Sequence, residues 1–135
     1  MQISTYVGLT MESEAVLQSA YLNAATRHQR DVGIRDGCRR AVRFTELRLN
    51  AANDLGRRFG ATSSRDPKLV RNALFHGLRA GGLGLLRDLH DLSLLANQSL
   101  LYWTGLSQGC KALHDELAVQ QCQQSIDAIQ LEISG

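Results

Sequence analysis

The chain has 135 residues, a mass of 14.9 kDa and a formal charge of +2. Apolar residues make up 44% and charged residues 21%, with a single proline, a globular composition that excludes a disordered or low-complexity chain. The length suits one domain over residues 1–135. A domain of this size buries roughly two-thirds of its unfolded surface, so it needs no metal or disulfide to fold.

Cys38, Cys110 and Cys122 form no Cys-x-x-Cys pair and have no zinc-finger spacing with a histidine. They read as reduced thiols, which implies a cytoplasmic protein. Met1 to Val7 has neither the basic start nor the apolar core of a signal peptide. Leu92 to Cys110 is free of charge over 19 residues, long enough to invite a membrane reading. Its Ser93, Asn97, Gln98, Ser99, Thr104, Ser107 and Gln108 instead make it a helix buried in a soluble bundle, with no membrane partner.

In chain order, the first ten residues read as an irregular N-terminal arm. A first helix is predicted over about Met11–Gln29, with Thr10 as N-cap and Glu12 and Glu14 favoured by the helix dipole. Leu17, Tyr21, Ala24, Ala25 and His28 share one face. Gly33 and Gly37 mark a turn. A second helix is predicted over Asp36–Phe59, with Ile34, Cys38, Ala41, Val42, Thr45, Leu49, Ala52, Leu55 and Phe59 in its buried stripe and Gly60 ending it. Asp66 and Pro67 form a strong start signal for a short helix through Leu69, Val70, Ala73, Leu74 and Leu78, and the glycines 81, 82 and 84 interrupt it. A long apolar helix then covers about Leu85–Leu113 and is expected to be central. Asp115 caps a last helix, about Glu116–Ile133. The fold class is therefore all-α: an up-and-down four-helix bundle with one additional short helix, joined by short loops. Tyr102 and Trp103 on the long helix are the candidate interface of a homodimer that covers it.

Helical bundles of the carboxylate type hold two metal ions with two glutamates and two Glu-x-x-His pairs, because residues i and i+3 grip from one face. No Glu-x-x-His occurs in the chain. The remaining metal candidates are Glu14, Glu46, Asp88, His90 and Asp91. Glu14 and His28 lie two heptads apart, about 21 Å along the axis, too far to share an ion. Asp88 and Asp91 share a face, and pairing with arginines of a neighbouring helix is the better reading for them. No catalytic triad, phosphate loop, dinucleotide fingerprint or identifiable small-molecule substrate site is present.

The charge is uneven. Residues 28–80 hold 12 Lys or Arg against 5 Asp or Glu, a balance of +7. Residues 81–135 hold 2 against 6, a balance of −4. Arg35, Arg39 and Arg43 form one stripe, a possible phosphate-binding face for nucleic acid. A basic half that meets an acidic half within the bundle or dimer explains the asymmetry more simply.

The run Gly81-Gly82-Leu83-Gly84-Leu85-Leu86-Arg87-Asp88-Leu89-His90-Asp91-Leu92 resembles one in small bacterial helical proteins of ferritin-like type. The stretch His28 to Gly60, with Asp31, Val32, Cys38 and Glu46, is similar to an earlier helix of the same proteins. The resemblance implies a ferritin-like bundle and frequent oligomers. It often goes with a di-iron site, whose Glu-x-x-His pairs are missing here, so no cofactor is expected and Fe, Mn or Zn is the alternative. The expected function is non-catalytic, through self-association or protein–protein interaction; the alternatives are a divergent metal-binding bundle and an arginine-face nucleic-acid binder.

Overall fold

The computed structural model describes residues 2–61 and 82–134. Within them the chain forms four helices: α1 (Ile3–Arg27), α2 (Val32–Phe59), α3 (Gly82–Ala112) and α4 (Glu116–Ser134). The short helix expected through Leu69 and Leu78, with its Asp66–Pro67 start, lies outside the described residues.

The irregular N-terminal arm is corrected. Helix α1 starts at Ile3, since Ile3, Tyr6, Val7 and Thr10 continue the buried stripe one heptad further back. Thr10 is not a cap but a buried mid-helix residue whose hydroxyl donates to the Tyr6 carbonyl at 2.7 Å. Helix α2 likewise starts early. Asp31 is its N-cap, accepting from the Ile34 amide at 3.2 Å, so Gly33 and Gly37 lie inside the helix. The two expected stops hold: Gly60 ends α2 in the left-handed conformation, and Asp115 caps α4 by accepting from the Ala118 amide at 3.1 Å.

Side-chain contacts fix the helix directions. Tyr6 packs on Gly105 and His28 meets Asp88, so α1 and α3 are antiparallel. Glycine is required at 105, where an added Cβ would stand 2.5 Å from Tyr6 Cε1. Val7 packs beside Gly56 while Ala41 joins the cluster of Tyr21 and Ala24, so α1 and α2 are antiparallel too. The α3–α4 corner is tight, with the Asp115 amide on the Cys110 carbonyl at 3.1 Å. Helices α2 and α3 therefore run the same way, with the end of α2 and the start of α3 at opposite ends of the bundle.

The core has two parts. One, around Trp103, Leu55, Leu106 and Ile129, takes side chains from all four helices. The other, around Leu17, Ala20, Tyr21, Cys38, Leu92 and Ala96, takes none from α4. The reason is length: α4 has 19 residues, against 25, 28 and 31 for α1, α2 and α3. At 1.5 Å per residue α4 is about 18 Å shorter than α3. The expectation that the long apolar helix is central is corrected as well. Helix α1 leaves only Leu22 among its large apolar side chains exposed, whereas α3 exposes Leu86, Leu94 and Leu101.

Gly60 sits at φ 70°, where a Cβ is strained. Gly60→Ala should lower stability by about 1 kcal/mol in urea unfolding of the full chain, through lost backbone fit alone, because no atom lies near the added methyl.

Candidate functional site

The polar centre of the bundle is built by Arg48, which the sequence pattern did not place inside. Its position continues the buried α2 stripe Cys38, Ala41, Thr45 and Ala52 at helical spacing, and its side chain is 3% exposed. Arg48 Nε donates to Glu14 Oε1 at 2.8 Å and Nη1 to Glu132 Oε1 at 3.1 Å. Glu14, on α1, is wholly buried, and its Oε1 also accepts from Ser99 Oγ at 3.0 Å and from the Trp103 indole N–H at 2.9 Å. Ser13 Oγ donates to Ser99 Oγ at 3.0 Å. On the other side, the Tyr21 hydroxyl donates to Glu132 Oε2 at 2.6 Å. One guanidinium thus joins carboxylates from α1 and α4, and α3 closes the network through Ser99 and Trp103.

Burial alone would drive the Arg48 guanidinium down, but the charges and hydrogen bonds of Glu14 and Glu132 outweigh it and hold it above its ordinary range. Burial, then the Glu132 charge and hydrogen bond, push the Tyr21 phenol far up. The site is therefore a locked set of charges: a permanent cation, two carboxylates gripping it and a phenol kept protonated.

A second buried pair lies toward the open end. His28 Nε2 stands 2.6 Å from Asp88 Oδ2, with Arg27 at 3.8 Å. This is the neighbouring-helix pairing expected for Asp88, with a histidine as the nearer partner.

The metal candidates are scattered. Glu14 lies in the Arg48 network and Asp88 in the His28 pair; Glu46 and His90 are exposed, and Asp91 is half-buried. Among the described residues, no three His, Cys, Asp or Glu side chains stand close enough to hold an ion. The donor set does not fit a di-metal centre, because the cation between the core carboxylates is Arg48. The interface candidates also separate. Trp103 is wholly buried inside the chain, and its indole serves Glu14, which corrects its role at a surface between copies. Tyr102 is half-buried and accepts from Gln98 at 3.3 Å.

All three cysteines are buried and free. Burial, then the Asp88 charge, raise the Cys38 thiol. Burial raises Cys122 to about 12, with its neighbour Cys110 adding to the effect. Among the described residues, no helix is long and apolar enough to cross a membrane. No known family, curated protein or solved structure matches the chain.

Two predictions follow from this chemistry. Arg48→Met leaves Glu14 and Glu132 buried without their cation and should cost about 3–5 kcal/mol in urea unfolding. The triple variant Arg48→Met, Glu14→Gln, Glu132→Gln should recover a large part of that loss, because no charge is then stranded. The raised Cys122 thiol sets a pH dependence. The unfolded thiol ionises near its ordinary 9.0, while the folded one holds its proton to about 12. Its stabilising contribution is therefore complete below pH 9.0 and is lost as pH climbs toward about 12. Cys122→Ala should flatten that part of the stability–pH curve.

Proposed function

We propose that the protein is a ferritin-like helical bundle that acts by association rather than catalysis, and that its first partner is a second copy. The helix directions support the ferritin-like reading, since α1–α2 and α3–α4 are antiparallel pairs, and α2 ends and α3 begins at opposite ends of the bundle, the helix order of bundles with a single long crossover. The buried charges support the non-catalytic reading, because Arg48, Glu14, Glu132 and Tyr21 are turned on one another. Its three reduced thiols suit a cytoplasmic setting.

One observation carries the dimer. Where α4 stops, the three-helix core opens to solvent as a cleft of about 360 Å³. Its walls are Ile34, Gly37 and Ala41 on α2, Leu89 and Leu92 on α3, and Ile133 on α4. Leu89 is 40% exposed and Ile133 39%, although both belong to the apolar lining. Two copies that bring this face together about a twofold axis would each cover the other's apolar wall.

Light scattering at tens of micromolar should give about twice 14.9 kDa. Leu89→Asp, and independently Ser93→Arg, should each give a monomer with unchanged helical circular dichroism. A monomeric unaltered chain, or a dimer that survives both substitutions, overturns the reading.

A further inference from the structure

The outer edge between α2 and α4 carries a different surface. A trough of about 330 Å³ runs there between Gly37, Arg40 and Phe44 on α2 and Ala128 and Leu131 on α4. In its lining Leu131 is 73% and Phe44 49% exposed, and Leu47, one turn beyond Phe44 on the same face of α2, is 65% exposed. Three large apolar groups this exposed on one edge exceed the scatter of single leucines on an ordinary surface.

The lining of the trough holds two charged residues, Arg40 and Glu132. Arg40 and Arg43 are exposed and have no ion pair among the described residues. The carboxylate in the lining, Glu132, is already held by Arg48 and Tyr21. The other α4 residues of the lining are the neutral Ala128 and Leu131, with the exposed Asp127 bonded to Gln123 beside them. The result is an apolar trough with a cationic α2 rim that nothing in the described chain neutralises.

We infer that this trough docks an amphipathic helix of a partner protein, with leucines for the apolar floor and an acidic flank for Arg40 and Arg43. The shape and chemistry select this occupant. Arginine and aromatic groups beside exposed leucine are the composition of protein interfaces. A nucleic acid would use the arginines but leave Leu47 and Leu131 in water. A flat lipid surface would not fill a concave trough between two helices, whereas a helix lying in a groove does so with its i, i+3, i+4 and i+7 side chains. The inference extends the association reading from the second copy to a second occupant, and its test keeps the two apart.

The test uses the full chain and synthetic amphipathic helices of about 18 residues, about 27 Å long. One has a leucine face flanked by glutamates; its counterpart has lysines in place of the glutamates. Fluorescence anisotropy should show the glutamate helix binding about tenfold more tightly than the lysine helix, with the difference shrinking at high salt. Leu131→Asp should abolish binding of both without loss of helicity. The double variant Arg40→Glu, Arg43→Glu should reverse the preference. Equal binding of the two helices, no binding of either, or stronger binding to a DNA duplex or to phosphatidylglycerol vesicles overturns the inference. The mass of the unbound chain, recorded in the same samples, reports on the dimer separately: a monomer that still selects the glutamate helix removes only the dimer.

Discussion

The bundle is organised around one buried guanidinium. Arg48 carries a charge that cannot be shed, in a place where an unpaired charge is costly. Glu14 must therefore reach it from α1 and Glu132 from α4, at 2.8 and 3.1 Å. Glu14 Oε1 in turn accepts from Ser99 and Trp103 of α3, while its Oε2 is left without a partner. A slip of any helix by one turn, about 5.4 Å, would strand a charge in the core. Apolar packing among Ala, Leu and Val tolerates such slips far better, because its contacts are non-directional. The network stabilises one register above the others more than it stabilises the folded state as a whole.

The same arrangement limits the chemistry inside the molecule. A carboxylate can bind a metal or act as a base when a lone pair faces an open position. Here one oxygen of Glu14 accepts three hydrogen bonds, and both oxygens of Glu132 are engaged. Tyr21 is held as a donor by the acceptor beside it. The residue types of a reactive centre are present, but each satisfies another. Inside, Glu14 Oε2, Arg48 Nη2 and Asp88 Oδ1 stay buried without a hydrogen-bond partner; outside lie the apolar walls beyond α4 and the exposed Arg40 of α2.

Much of this was legible in the residues. The all-α class followed from good helix formers and a single proline, and the ends of α2 and α4 followed from Gly60 and Asp115. The expected start of α1 failed because Ile3, Tyr6 and Val7 are spaced for a helix, while Thr10 offered a more conspicuous cap. Arg48 was missed for a physical reason. An arginine on a buried stripe is normally a boundary residue whose long stem reaches water. Nothing within four residues of it reveals the two carboxylates that keep it inside, since Glu14 and Glu132 lie 34 and 84 positions away in the chain. The spacing Thr45–Arg48–Ala52 was the available signal, as it continues the apolar stripe through a charged position. Directions are harder still to read: parallel α2 and α3 depend on which ends meet, and periodicity carries no information on that.

The charge asymmetry ties interior and surface together. The basic middle of the chain and its acidic end do meet, through Arg48 with Glu132, His28 with Asp88, and Arg58 with Asp115. These pairs use the carboxylates that face α1 and α2 at three levels of the bundle. Arg40 lies on the outer edge, where α4 supplies Ala128, Leu131 and a Glu132 already engaged by Arg48 and Tyr21. Internal neutralisation therefore stops at the α2–α4 edge, where Phe44 and Leu131 are also left exposed. Two independent deficits, one of acidic charge and one of apolar cover, fall on the same edge. A partner that supplies both removes water from leucine and phenylalanine and brings counter-charge to arginine in one step, and the electrostatic part acts before contact, by steering the approach.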